Sequence, residues 1–219
     1  MHPNPVFHTA SRAENLAFAR TRAFGVLAVA AADAAPMLSH VPFDLVQAAE
    51  QEDGRGLWAD LHLVRSNPIA RALGQALGQA PDVGLPARLA VSGPDGYISP
   101  DWYGIDDQVP TWNYVAVHLT GRLERRPDAE LRGVIDRLSD LFEDRLAPKT
   151  PWRSAKMPPE ALERMMRAIV PVRLWIESVD GTWKLAQNKP EAVRLAAAGA
   201  LETGQGMELA ALAALMRDA

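Results

Sequence analysis

Residues 109–118 combine aromatic, amide and imidazole side chains in one short segment, Val-Pro-Thr-Trp-Asn-Tyr-Val-Ala-Val-His. From Tyr114 onward apolar and polar residues alternate with a period of two, which predicts a half-buried strand whose entry is fixed by Pro110. Trp112, Asn113 and the tyrosine follow one another at the mouth of that strand. A structural strand does not need these three side chains in succession, whereas a planar ligand with a polar edge would use all of them. The segment therefore predicts a binding site.

A second candidate site lies where a predicted strand at 57–63 meets a predicted helix. The helix should begin at Pro68, because Ser66 or Asn67 can cap it and proline suits its first position. Arg65 stands just before that helix, where free backbone N–H groups and the helix dipole favour an anion. This arrangement predicts a phosphate site, and an ordinary N-cap beside a solvated arginine is the alternative interpretation.

Two further segments carry aromatic and polar groups close together. Residues 183–190, Trp-Lys-Leu-Ala-Gln-Asn-Lys-Pro, have the pattern of a strand end followed by a helix start. They form either a surface turn or a second contact for an anion or a carbonyl group. Residues 97–103 place three aromatic side chains around a proline turn, where they either plug one end of a barrel or line a pocket for a planar ligand.

Composition narrows the class of protein. The 219-residue chain is 48% hydrophobic, which suffices for a sizeable core, and its formal net charge of −4 is unlike the basic excess typical of nucleic-acid binders. It has no cysteine, which excludes disulfides, thiolate metal ligands and a cysteine nucleophile. Three of the five histidines, His40, His62 and His118, lie on three different predicted strands, where a barrel could bring them together around zinc or non-haem iron; the prediction is nevertheless that the chain has no metal site. No signal-peptide pattern or membrane-length apolar run is visible, which predicts a cytoplasmic protein without membrane contact.

Local patterns predict alternating strands and helices. The predicted helices lie at 12–21 behind the capping box Ser11-Arg12-Ala13-Glu14, from Pro68, at 129–146, after Pro158-Pro159, and as a C-terminal pair broken near 204–206. The predicted strands lie at 24–31, 37–46, 57–63, 87–91, 97–99, from 114, 172–179 and 182–185. Turns are predicted at 33–36, 51–56, 93–96 and 180–181.

This succession of elements predicts the fold class. Short strands with turns between them, wrapped by helices, suggest an α+β barrel. Pro42 removes a hydrogen-bond donor from the predicted strand at 37–46, which places that strand at a sheet edge or gives it a bulge. We expect one barrel domain at 1–185 and a helical extension at 186–219 that packs on the barrel or on a dimer partner.

Five segments of the chain occur in the order seen in a known family. They are Ser39-His40-Val41-Pro42 and residues 62–68, 96–103, 109–118 and 183–190. In these segments the chain resembles the PaiB-like proteins, bacterial proteins labelled FMN-binding negative transcriptional regulators. The resemblance covers nearly the whole chain, and its most specific parts are the V-P-T-W-N-Y-V-A-V-H and W-K-L-x-Q-N-x-P blocks.

The resemblance implies a fold, a cofactor and a site. The fold is the FMN-binding split β-barrel, a Greek key that usually forms a homodimer with flavin at the interface. The cofactor is FMN, and the implied cofactor-binding residues are Ser39, His40, Val41, Pro42, His62, Arg65, Ser66, Asn67, Trp112, Asn113, Tyr114, Lys184, Gln187 and Asn188. The chain departs from the family pattern at Asp106, Asp107 and Gln108, where members often carry a basic residue. It also reads His40-Val41-Pro42-Phe43 where members often read H-L-P-L, so Val41 and Phe43 stand in place of leucines.

Three functions remain open from the sequence. The first is a flavin-binding regulator or sensor, linked through the family label to protease production and sporulation. The second is a flavin-dependent oxidoreductase that reduces a small molecule with a nicotinamide donor; no residue is an obvious acid or base for it, and the cofactor would supply the chemistry. The third is a split-barrel protein whose cleft holds another ligand, such as haem or a deazaflavin.

Direct DNA binding is not expected. The chain shows no basic stripe, and its candidate recognition helix at 207–216 is nearly all alanine and leucine, which favours burial over base reading. The predicted partners are therefore a second copy of the chain, FMN, and a small-molecule substrate or a protein through which regulation acts indirectly.

Overall fold

The computed structural model describes residues 2–31, 34–52, 55–79 and 84–219. The helices are α1 (Arg12–Arg22), α2 (Pro68–Gln79), α3 (Leu131–Glu143), α4 (Pro159–Met166), α5 (Glu191–Leu201) and α6 (Leu209–Asp218). The strands are β1 (Phe24–Val29), β2 (Met37–Pro42), β3 (Asp44–Glu52), β4 (Arg55–Val64), β5 (Leu85–Ile98), β6 (Thr111–Arg125), β7 (Ile169–Lys184) and β8 (Gly206–Met207).

The strands form a sheet in the order β2-β1-β5-β6-β7-β4-β3, and β8 pairs with β5. The pairs β1–β2, β1–β5, β3–β4, β4–β7 and β5–β8 are antiparallel. Contacts divide the chain into two compact units. The first unit comprises Met1–Phe18, Val91–His118 and Val179–Ala219, and the second comprises Ala19–Ala90 and Leu119–Ser178. The predicted division into residues 1–185 and 186–219 stays a prediction.

The local signals for helix starts are confirmed. Ser11 and Glu14 form the predicted capping box, in which the Ser11 N–H donates to Glu14 Oε2 at 2.7 Å and the Glu14 N–H donates to Ser11 Oγ at 3.2 Å. Asn67 caps α2, because its Oδ1 accepts the Ile69 N–H at 2.8 Å. The helix predicted at 129–146 is the shorter α3 flanked by 3₁₀ turns. Parts of the predicted turns at 33–36 and 51–56 lie outside the described residues.

The predicted turn at 93–96 is wrong, because β5 runs through it as one strand. A Cβ atom on Gly93 would lie 2.5 Å from Phe18 Cζ, and one on Gly96 would lie 2.7 Å from Leu201 Cδ1. At both positions the absence of a Cβ atom leaves room for a neighbouring side chain to pack closely against the strand. Glycine within a strand often marks such a close approach.

The predicted turn at 180–181 is also wrong, and β7 continues through it. A Cβ atom on Gly181 would lie 2.0 Å from Asn15 Oδ1. Asn15 is buried, accepts the Trp183 indole N–H at 2.8 Å and donates from Nδ2 to the Ala10 carbonyl oxygen at 3.3 Å. The glycine makes room for this buried amide, so the Asp-Gly pair marks a close contact and not a hairpin.

The strand predicted at 37–46 is two strands that meet at Phe43. Strand β2 ends at Pro42, and β3 begins at Asp44 at the opposite end of the sheet order. The buried Phe43 lies between them, and its N–H donates to the Ala23 carbonyl oxygen at 3.0 Å. The predicted edge position of the Pro42 strand is confirmed, since β2 ends the strand order of the described sheet.

In the first unit, α5 and α6 pack into a core with Ile98, Tyr103 and Val115. Arg194 of α5 is buried, and its Nη1 donates to the carbonyl oxygens of Met216 and Arg217 at 2.5 and 3.2 Å. This guanidinium satisfies carbonyl groups that a helix C-terminus leaves without partners. Leu212, Ala213 and Met216 of α6 are buried, so this helix buries its apolar face as expected from its composition.

In the second unit, a buried carboxylate lies on β4. Asp60 is 1% exposed and accepts hydrogen bonds from Arg173 Nε at 2.6 Å and Arg173 Nη2 at 2.9 Å. It also accepts from Arg137 Nη2 at 2.8 Å and from the Trp58 indole N–H at 3.2 Å. The Arg173 guanidinium carbon lies 4.7 Å from the Trp58 ring centroid and 5.1 Å from that of Trp175. This ion cluster ties α3, β4 and β7 together.

No helix among the described residues is long and apolar enough to cross a membrane.

Candidate functional site

The residues predicted to bind the cofactor fall into two groups, one in each unit. The second unit holds Ser39, His40, Val41, Pro42, His62, Arg65, Ser66 and Asn67. The first unit holds Trp112, Asn113, Tyr114, Lys184, Gln187 and Asn188. Their assignment to a cofactor site stays a prediction, and the geometry of each group is described in turn.

Asn67 and Ser39 are brought together in the second unit. Asn67 Nδ2 donates to Ser39 Oγ at 2.7 Å, while its Oδ1 caps α2. One amide therefore fixes the start of α2 against the edge strand β2. On that strand Ser39 and Val41 point toward the buried side, and the intervening His40 is exposed. The His40 ring stacks on the Phe24 ring at a centroid distance of 6.4 Å.

Arg65 lies just before α2, as predicted, but its hydrogen-bonding groups already have protein partners. Its Nη2 donates to Asp128 Oδ2 at 2.9 Å, and its Nε donates to the Arg167 carbonyl oxygen at 2.7 Å. The backbone N–H of Arg65 donates to Ala168, and that of Asn67 donates to Val64. Hydrogen bonds from Arg65 and Arg125 hold the pKa of the Asp128 carboxyl below its usual range. A phosphate that took the Nη2 group of Arg65 would have to replace Asp128 there.

His62 lies on β4, opposite Pro171 of β7. Its Nδ1 is buried without a hydrogen-bond partner among the described residues, and burial lowers the pKa of the ring. The imidazole is therefore held in its neutral form over a wider pH range than a solvated histidine. Among the described residues, the His62 ring makes no hydrogen bond to Ser39 or Asn67.

In the first unit, the alternation of β6 divides the aromatic segment between two faces. The buried face carries Asn113, Val115 and Val117, as the sequence pattern indicated for the two valines. Trp112 and Tyr114 lie on the opposite, more exposed face. The indole and the Asn113 amide therefore lie on different faces of β6. That one planar ligand uses all three side chains stays a prediction.

The exposed face of β6 has a pocket, which we call the indole pocket. It has a volume of about 310 Å³ and is lined by Ser92, Gly93, Asp95, Trp112, Tyr114, Val115 and Ala116. Trp112 is 47% exposed, and its ring lies 6.5 Å from the Tyr97 ring in an edge-on arrangement. The contact with Tyr97 restricts the orientation of the Trp112 side chain, and the indole offers a planar ligand an apolar surface.

Another pocket, of about 260 Å³, lies among residues of the N-terminus, the 103–111 loop, β6 and the segment after β7. We call it the lysine pocket, because Lys184 and Lys189 both line it. Asn113 and Asn188 line it as well, so it brings three of the predicted site residues together. Burial lowers the pKa of the Lys184 ammonium.

Each ammonium group in the lysine pocket is held by a neutral oxygen and an aromatic ring. Lys184 Nζ bonds to Thr111 Oγ1 and lies 5.8 Å from the Phe7 ring centroid. Lys189 Nζ bonds to Gln108 Oε1 and lies 5.3 Å from the Tyr103 ring centroid. Gln108 belongs to the loop where the chain departs from the family pattern.

Gln187 is committed to the turn in which it lies. Its Oε1 accepts the Leu185 N–H at 2.8 Å, and its Nε2 donates to the Trp183 carbonyl oxygen at 2.6 Å. It stabilises a turn in which Ala186 has a φ of +63°. The two hydrogen bonds of Gln187 thus give it a structural role within the segment at 183–190.

The sequence analysis placed Lys189, Tyr103 and Thr111 within its candidate segments but did not name them as cofactor-binding residues. The structure adds that these three residues, from separate segments, line one pocket. A local pattern marks each segment but does not show that the segments meet. Among the described residues, no group of three or more histidine and acidic side chains is arranged to hold a metal ion.

Comparison with curated proteins finds relatives at modest identity. The chain is 30% identical over 126 residues to Protease synthase and sporulation protein PAI 2 of Bacillus subtilis, covering 58% of this chain and 59% of that protein. The matched part is thus less than two thirds of that protein's length. It is 28% identical over 173 residues to the uncharacterized protein AN0679 of Emericella nidulans, covering 68% of each.

Solved structures share the fold. The FAD and heme binding protein of Mycobacterium smegmatis matches with a TM-score of 0.54 at 17% identity, over 91% of this chain and 81% of that one. A flavocytochrome of Azotobacter vinelandii matches with a TM-score of 0.53 at 14% identity, over 84% and 72%. The predicted class, an α+β split β-barrel with flanking helices, is confirmed. A sequence model of the family described as "Putative FMN-binding domain" matches residues 1–178, and the chain belongs to this family.

Proposed function

We propose that this protein binds FMN and takes part in regulation indirectly, through the flavin and not by contacting DNA itself. The observation that carries the proposal is the indole pocket, where an exposed tryptophan stands beside a second aromatic ring in a chain of an FMN-binding family. The name of the Bacillus subtilis relative, Protease synthase and sporulation protein PAI 2, supports a link to protease synthesis and sporulation.

The residues present fit a flavin nucleotide. Its ring system needs an apolar surface, and Trp112 with Tyr114 offers one in a pocket of a size that ligand sites have. Its phosphate needs a cation, and Arg65 beside the start of α2 is the group that we propose for it. The Asn67–Ser39 contact would hold the phosphate-side segment in place. Bound flavin would supply hydride or electron transfer, and the chain would bind and orient it.

Trp112→Ala is expected to weaken FMN and riboflavin equally. The indole would contact the ring system that both molecules share, and an aromatic pair is worth about 0.5–1.5 kcal/mol beyond its buried area. Titration of each flavin against the protein, followed by flavin fluorescence, measures both affinities. Trp112→Phe keeps a ring at the position and should retain most of the affinity. Unchanged binding of both flavins to Trp112→Ala would rule the indole pocket out.

A flavin-dependent oxidoreductase is the second candidate, and the lysine pocket favours it. A pocket with two ammonium groups suits a small anionic molecule, and the substrate of an oxidoreductase could be such a molecule. The distinguishing measurement is anaerobic: FMN-loaded protein is mixed with a reduced nicotinamide, and the flavin absorbance is followed. Rapid bleaching would favour the oxidoreductase, and no bleaching would favour the regulator.

We expect a homodimer. The outer face of β1 and β2 carries Phe24 and Leu38, which are 51% and 61% exposed, and β2 is an edge strand. An apolar face next to a free strand edge favours burial against a second copy. Light scattering should give twice the mass of the chain, and Leu38→Asp should give a monomer, while Leu146→Asp, at another exposed leucine, should not. A monomeric natural protein at micromolar concentration would contradict this expectation.

We expect weak DNA binding by the purified protein at physiological salt. Duplex affinity depends on neutralising phosphates with lysine and arginine, and the chain has 23 such residues against 27 acidic ones. Many of the arginines are also engaged with carboxylates, as Arg65 and Arg173 are. The measurement is a titration of labelled promoter DNA from the same organism, with and without FMN. A specific complex at nanomolar protein that survives competitor DNA would restore direct DNA binding.

A further inference from the structure

The lysine pocket has two cations without an anionic partner. Lys184 and Lys189 bond to a hydroxyl and an amide oxygen, and neither ammonium forms an ion pair with a carboxylate of the described residues. Among the described residues that line the pocket, Asp107 is the one acidic side chain. The lining therefore carries an excess of positive charge, which favours an anionic ligand.

The same pocket has a buried oxygen without a hydrogen-bond partner. Asn113 is 1% exposed, its Nδ2 lies 3.5 Å from Met216 Sδ, and its Oδ1 has no partner among the described residues. Buried polar atoms are nearly always paired, and one left unpaired is costly to the fold. An amide oxygen accepts and does not donate, so the missing partner is an O–H or N–H group.

The size of the pocket limits what can occupy it. Its volume of about 260 Å³ lies just below the range of about 300–1,000 Å³ that holds drug-sized ligands. A molecule of a few carbon atoms with polar ends fits within this volume. The lining offers such a molecule ammonium, amide and hydroxyl groups, from Lys184, Lys189, Asn113, Asn188 and Thr111.

We propose that the lysine pocket binds a small hydroxy acid, with its carboxylate on Lys184 and Lys189 and its hydroxyl donating to Asn113 Oδ1. One such molecule would supply a negative charge to both ammonium groups and a hydrogen-bond donor to the amide oxygen of Asn113. This assignment goes beyond FMN binding, does not depend on it, and takes Asn113 and Lys184 out of the flavin site.

Malate and succinate are the probes that test the hydroxyl contact, because they differ by that single group. Calorimetric titration of the whole protein should show malate binding about tenfold more tightly than succinate, the value of one hydrogen bond to a buried acceptor. The titration is repeated in saturating FMN, where the malate affinity should be unchanged. Competition between malate and FMN would overturn the assignment of a separate pocket.

Three variants test the residues. Lys184→Met and Lys189→Met should each weaken malate about tenfold or more, since each removes a charge-assisted contact. The matched control is Lys156→Met, at an exposed lysine outside the pocket, which should bind malate as the natural protein does. Asn113→Leu should abolish the preference for malate over succinate and raise the melting temperature, because it removes an unpaired buried oxygen.

Other outcomes decide against the proposal. Equal binding of malate and succinate by the natural protein would exclude the hydroxyl contact, and absence of binding by either would exclude the pocket. Inorganic phosphate that binds as tightly as malate, with the same dependence on both lysines, would assign the pocket to phosphate. If Asn113→Leu does not fold, the two lysine variants and the malate–succinate comparison still decide.

Discussion

Replacing Asp60 with leucine is expected to lower the free energy of unfolding by about 3–5 kcal/mol, the cost of leaving a buried charge without its partner. Arg173 is the charge in question: its side chain is only 14% exposed and donates two hydrogen bonds to Asp60. Without that carboxylate the ion pair that Arg173 keeps among the described residues is a longer one, 3.8 Å from Nη2 to Glu130. Arg137 is half exposed and can turn to water instead. Denaturant unfolding followed by circular dichroism measures the loss.

Two comparisons separate the buried charge from other effects of the substitution. Asp60→Leu combined with Arg173→Met should regain part of the lost stability, because an apolar pair of similar volume replaces a buried ion pair at little cost. Glu202→Ala removes the partner of Arg217 in an exposed ion pair and should cost about 0.2–1 kcal/mol. A double variant less stable than Asp60→Leu alone would show that lost packing around Trp58, and not the uncompensated charge, causes the effect.

Arg65→Ala is expected to weaken FMN by about 1.5–3 kcal/mol and to leave riboflavin nearly unchanged. The guanidinium would contact the phosphate, which riboflavin lacks, and a hydrogen bond between two charged groups is worth this amount. Parallel titrations of both flavins measure the difference. Trp112→Ala is expected to weaken both flavins, whereas Arg65→Ala is expected to weaken only FMN. The two variants therefore test the ring contact and the phosphate contact independently.

Asp128 provides a sharper test of the same contact, because in the structure it occupies the guanidinium that the phosphate would need. Asp128→Asn removes the competing charge and should strengthen FMN binding, again with little effect on riboflavin. A weaker FMN complex in Asp128→Asn would show that the carboxylate positions Arg65 for the ligand. Equal losses of FMN and riboflavin in Arg65→Ala would show that the arginine maintains the fold and does not bind phosphate.

The indole pocket and the lysine pocket are two separate ligand positions within the first unit. If the lysine pocket takes a small acid, flavin chemistry and ligand sensing would be combined in one chain. Both the regulator and the oxidoreductase proposals can accommodate that combination.

The structural features that depend on residues close together in sequence could be predicted from the sequence alone. The capping box at Ser11 and Glu14, the Asn67 cap of α2 and the alternation of β6 formed as predicted. Each depends on contacts within a few residues, and the chemistry of those residues decides them. The family resemblance, which rests on short sequence blocks, likewise identified the fold class and the FMN family.

Only the tertiary structure decided the meaning of residues whose partners are distant in the chain. Gly181 looked like a turn, but β7 runs through it and the amide of Asn15 packs closely against it. Arg65 looked free, but Asp128, 63 residues away, holds it. Asp60 gave no local signal, because its partner Arg173 lies 113 residues away. The physical reason is that glycine conformation, ion pairing and pocket lining are set by which segments the fold brings into contact, and a local pattern of residue types does not encode those contacts.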